Sequence, residues 1–71
     1  MRFRSSTVLE PAHVGRRVTV RRRLPDGKSS DVVGTLEACD ETTLVVRDRH
    51  GEAWRIARAD VVAARLVTSR V

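Results

Sequence analysis

The chain has 71 residues, room for one small domain, and carries 14 Lys and Arg against 9 Asp and Glu, a net charge of +5. One cysteine excludes an internal disulfide, no apolar run is long enough to span a bilayer, and the near-absence of aromatics excludes an extended base-stacking platform. Every cation but Lys28 is arginine, which suits phosphate and carboxylate forks; a GC-rich genome produces the same usage with no selection for binding.

Residues 1–13 show no period and read as an N-terminal arm, with Phe3, Val8 and Leu9 able to dock. The opening Met1-Arg2-Phe3-Arg4-Ser5-Ser6 is basic with no apolar segment after it, so no signal peptide is expected and the expected location is the cytoplasm. Glu10 to Gly15 reads as a turn leading into a first strand from Arg16 to Leu24, with Val18 and Val20 facing in and Arg17, Arg21 and Arg23 facing out. Pro25-Asp26-Gly27 is a turn signal with a mechanism: proline presets φ, aspartate caps locally and glycine takes positive φ.

From Asp31 to Leu66 the chain reads as a meander. Val32, Gly34, Leu36 and Ala38 alternate with polar neighbours, the polar Asp40-Glu41-Thr42 turns the chain, and Leu44 and Val46 share one face of the next strand. Asp48 to Glu52 connects to a strand bearing Trp54 and Ile56, and Arg58-Ala59-Asp60 makes one helical turn before the last strand, Val61 to Val67. The expected fold is all-β, a five-stranded SH3-like barrel over 14–67 with a tail at 68–71. Its expected core is Val14, Val18, Val20, Val32, Gly34, Leu36, Ala38, Leu44, Val46, Trp54, Ile56, Val61, Val62, Ala64 and Leu66, with Gly34 at a sharp bend.

No catalytic set is visible. His13 and His50 fall in separate turns with no spaced partner ligand, so no metal is expected, and Cys39 reads as a small strand hydrophobe rather than a nucleophile served by His50. Trp54 reads first as a core residue and second as a stacking residue in a groove. The candidate interaction surface is Arg17, Arg21, Arg23, Pro25, Asp26, Arg47 and Arg55. A sheet surface whose arginines pair with Asp26, Asp31, Glu37 and Asp48 is the first reading of these cations, and a row bridged by phosphates the second.

Two resemblances follow from the residues. Val14-Gly15-Arg16-Arg17-Val18-Thr19-Val20-Arg21-Arg22-Arg23-Leu24-Pro25, Asp31-Val32-Val33-Gly34 and Ala59-Asp60-Val61-Val62-Ala63-Ala64-Arg65 resemble an actinobacterial SH3-like module that precedes the catalytic domain of certain GNAT-family N-acetyltransferases. That resemblance implies a non-catalytic accessory barrel whose partner is a GNAT catalytic domain or another protein, as a monomer or small homo-oligomer. It carries no cofactor residue into this chain; acetyl-CoA would belong to the attached domain. Gly34-Thr35-Leu36-Glu37-Ala38-Cys39-Asp40 followed by Leu44-Val45-Val46 is similar to the first motif of Sm-like proteins, which implies ring assembly and RNA binding.

Overall fold

The computed structural model describes residues 8–67. A 3-10 turn at Pro11–His13 precedes β1 (Arg17–Arg23), β2 (Ser29–Cys39), β3 (Thr43–Arg47) and β4 (Ala53–Ala57); a second 3-10 turn at Arg58–Asp60 leads into β5 (Val61–Leu66). All neighbouring strands are antiparallel, in the order β4-β3-β2-β1-β5. The five strands and the helical turn before the last one are those the alternation predicts.

The 11-residue β2 serves both halves of the barrel. Its first part pairs with β1, from Arg23↔Ser29 to Arg17↔Thr35, and its second part pairs with β3, from Thr35↔Arg47 to Cys39↔Leu44. Gly34 sits at the changeover. A Cβ built there would overlap the carbonyl oxygen of Arg47, so hydrogen is all this crossing admits. The β1–β2 and β3–β4 hairpins close alike. Leu24 N–H donates to the Lys28 carbonyl at 2.7 Å and Asp48 N–H to the Glu52 carbonyl at 2.9 Å, with Gly27 (φ 88°) and Gly51 (φ 84°) taking positive φ that other residues resist.

Inward-facing Val18, Val20, Val32, Leu36, Leu44, Val46, Ile56 and Ala64 form the core, with Trp54, Val61 and Leu66 at its margin. Of the arm residues expected to dock, Leu9 is 2% exposed and belongs to the core, whereas Val8 is 76% exposed and Phe3 lies outside the described residues. Three expected core positions need correction. Val14 is 45% exposed, because it lies in the turn ahead of β1 rather than in the strand. Ala38 is exposed because Glu37 is an extra residue in β2: Leu36 pairs with Val46 and Ala38 with Val45, so the inward parity passes to Cys39. Val62 is 46% exposed for the same reason in β5, where Arg21 pairs with Ala63 and Arg22 with Val61.

Arg58 ties the arm to the barrel. Its Nη2 donates to the Leu9 carbonyl at 2.6 Å and to Cys39 Sγ at 2.7 Å, and its Nε donates to the Asp40 carbonyl at 2.6 Å. One guanidinium thereby satisfies two backbone carbonyls that would otherwise compete for water at the barrel rim.

Candidate functional site

Strand alternation puts Arg17, Thr19 and Arg21 on the outer face of β1 once Val18 and Val20 are buried. The antiparallel register then decides which of these cations are neutralised. Arg21 lies opposite Asp31 and donates to it through Nε at 2.9 Å, which raises the guanidinium pKa further. Arg47 donates through Nε to Glu37 at 2.6 Å and through Nη1 to the Gly51 carbonyl at 2.6 Å; that hydrogen bond holds the Glu37 carboxyl below the usual range. Both arginine–carboxylate contacts are ion pairs.

The expected pairings of Asp26 and Asp48 with arginine do not form, because local donors reach them first. Asp26 accepts the Lys28 N–H at 2.9 Å and fixes the turn after Pro25. Asp48 accepts the Trp54 indole N–H at 2.8 Å and, on its other oxygen, the backbone N–H groups of His50 and Glu52. The indole bond, followed by the two amides, lowers its pKa. Asp40 is likewise lowered by the Thr42 and Thr43 amides it caps. Carboxylates on this side of the barrel are thus occupied by internal donors, whereas Arg17, Arg23 and Arg55 pair with no carboxylate among the described residues.

The predicted surface is therefore not one continuous row. Arg17, Thr35, Arg47 and Ala53 follow one line across β1, β2, β3 and β4, Arg55 lies on the edge strand opposite Val45, and Arg23 adjoins the Pro25 turn. The second reading of Trp54, in a groove, corresponds to a depression of about 430 Å³ between β1, β2 and the β3–β4 turn, and what sequence reasoning missed is the rest of its lining. Arg17, Arg22 and Arg49 line it together with the apolar Val32, Val33 and Trp54. The Arg22 guanidinium carbon stands 5.0 Å from the Trp54 ring centroid, a cation–π contact, and its buried Nε has no hydrogen-bond partner. The signal was in the parity: Arg22 follows Val18 and Val20 on the inner face, and Trp54 precedes Ile56 on it.

Other candidate chemistry disperses. Cys39 pairs with Leu44 near the start of β3, whereas His50 lies in the turn after the other end of that strand. Cys39 Sγ contacts the Leu9 carbonyl and Arg58, and His13 Nδ1 accepts the Glu10 amide at 3.1 Å. Among the described residues no group of three or more His, Cys, Asp or Glu is placed to hold a metal, and no helix is long and apolar enough to cross a membrane.

A bent β2 with glycine at the changeover, an aspartate-capped turn and an apolar β3 is the arrangement on which the Sm-like resemblance rested. A family model described as the Rv0428c N-terminal Sm-like domain matches residues 12–65. The chain belongs to this Sm-like family. No curated protein and no solved structure matches it. The part of the Sm-like domain matched by the family runs from the first 3-10 turn into β5, so the Gly34 crossing, the Asp40 turn and the Arg22–Trp54 depression all lie within it, while Leu9 lies before it.

Proposed function

We propose that this Sm-like domain is a non-catalytic interaction barrel that binds nucleic acid through backbone phosphates. The observation that carries this is the division of charge: the nearby carboxylates already accept internal hydrogen bonds, leaving Arg17, Arg23 and Arg49 as cations around one side of the barrel. Phosphate contacts of this kind position a strand without reading its sequence. Self-association fits the same reading, since no ladder joins β4 to β5 among the described residues and both present an outer edge. The lone cysteine suits work in a reducing cytoplasm.

The test is anisotropy of labelled single-stranded RNA and DNA with the purified domain at several salt concentrations. Binding should weaken steeply as salt rises, and Arg17→Glu with Arg23→Glu should reduce the slope of log K against log salt by about 1.4, two contacts at about 0.7 each. Salt-independent binding, or a slope untouched by the double variant, rules the surface out.

A second reading rests on the family's own description, which names an N-terminal domain. Here the barrel packs beside a partner domain, and the GNAT resemblance supplies the candidate, with acetyl-CoA bound by that partner. A reading frame continuing past Val71 into an acetyl-CoA-binding domain supports it; a frame that stops, with no acetyltransferase nearby, removes it.

A further inference from the structure

We propose that the depression at Arg22 and Trp54 is a nucleotide subsite, taking one base against the Arg22–Trp54 pair with its phosphate held by Arg17 and Arg49. The inference deepens the nucleic-acid reading by naming the unit that is gripped and the place that grips it.

Three observations converge on this place. Its volume, about 430 Å³, is in the range of small-molecule sites and suits a single nucleotide better than a duplex. Its walls combine an arginine plane on an indole with the apolar Val32 and Val33, surfaces on which a base can stack. Finally, its donors exceed its acceptors. Asp31 is held by Arg21 and Asp48 by Trp54 and two amides, whereas Arg17 and Arg49 have no carboxylate partner among the described residues and Arg22 Nε is buried without an acceptor. A bound phosphate supplies the acceptors that the exposed guanidinium groups of Arg17 and Arg49 lack. Phosphate alone would satisfy the cations but leave the apolar wall uncovered.

Trp54 is the one tryptophan in the chain, so its fluorescence reports on this site alone. The intact domain is titrated with uridine 5′-monophosphate, adenosine 5′-monophosphate, ribose 5-phosphate and inorganic phosphate, following Trp54 emission, and in parallel with the labelled oligonucleotides. The two nucleotides should change the emission saturably, and both base-free probes should bind about tenfold or more weakly. Arg22→Lys keeps the charge but loses the plane, and should weaken the nucleotides about tenfold while altering the response to phosphate little. Arg49→Glu, at an exposed turn position, should weaken nucleotides and phosphate together.

No saturable change with any nucleotide overturns the subsite, as does an equal response to inorganic phosphate, which would reduce it to an anion site. Oligonucleotides that bind without disturbing Trp54 leave the barrel's nucleic-acid reading standing and remove the subsite. Nucleotides that bind where oligonucleotides do not keep the subsite and remove the nucleic-acid reading.

Discussion

Replacing Gly34 by alanine adds one methyl group where β2 passes under the end of β3. The new Cβ would overlap the Arg47 carbonyl oxygen and stand 2.8 Å from that carbonyl's carbon and 3.0 Å from the Asp48 Cα. Carbon atoms prefer about 3.5–4.0 Å, and all three neighbours are backbone, so no rotamer change relieves the overlap. Either β3 lifts away from β2 or the bend opens, and both disturb the Leu36↔Val46 pair at the centre of the core. Overpacking of this kind costs about 1–3 kcal/mol, and a backbone clash belongs at the upper end. For a chain of this length total stability is about 4–10 kcal/mol, so about 3 kcal/mol is a large share. The melting temperature should fall by about 12–24 °C. Gly27→Ala is the control: its Cβ meets nothing within 4 Å, but its φ of 88° puts alanine in the left-handed region, at about 1–2 kcal/mol. Thermal and urea unfolding followed by far-UV circular dichroism should rank Gly34→Ala below Gly27→Ala, and both below the native chain. If the Gly34 variant is as stable as the Gly27 variant, the close crossing of β2 and β3 is wrong.

Leu9→Ala should cost about 2–5 kcal/mol, because a fully enclosed leucine leaves a cavity that β5 and β3 cannot collapse into; urea unfolding measures it, and a loss below about 1 kcal/mol would mean that the arm does not seat in the core. Lowering the pH should loosen the β3–β4 turn. The Asp48 carboxyl is depressed by Trp54 and the turn amides, so its contribution is complete above the ordinary carboxylate range and fades as pH falls through its lowered value. Trp54 emission should therefore change on the acid side of that range, and in Asp48→Ala should lose that transition. A transition unchanged in the variant assigns it to another carboxylate.

The sequence showed most of the architecture because the strands alternate cleanly. Val18 and Val20, Leu44 and Val46, and Trp54 and Ile56 each declare a buried face in two residues, and Pro25-Asp26-Gly27 and His50-Gly51 declare the turns between them. What it concealed falls into two physical kinds. Bulges shift the parity without changing composition, so nothing in Glu37-Ala38-Cys39 or Val61-Val62-Ala63 marks which residue is the extra one. Contacts between distant segments leave no local period: Leu9 reaches the core from a stretch without alternation, and Arg22 meets Trp54 across 32 positions. The charged surface was half legible for the same reason. Arg21 with Asp31 follows from cross-strand register, but Arg47 sits opposite Thr35 and reaches the bulge residue Glu37 diagonally, and the capture of Asp48 by an indole depends on how the hairpin folds back.

The extra residue at Glu37 acts as a switch in counting. Upstream of it the even-numbered residues of β2 face the interior; downstream the odd-numbered ones do, which brings the Cys39 thiol inward to meet Arg58 and sends Ala38 to the surface. Deleting that single position would remove the bulge and leave a regular ladder through Leu36, Ala38 and Cys39, with the thiol still inward against Arg58 and Ala38 still at the surface. What would be lost is the Glu37 carboxylate and its ion pair with Arg47. In this Sm-like domain a one-residue gap at the bulge therefore alters the outer charge and spares the inward-facing residues, and sequence comparisons that place a gap there should be read accordingly.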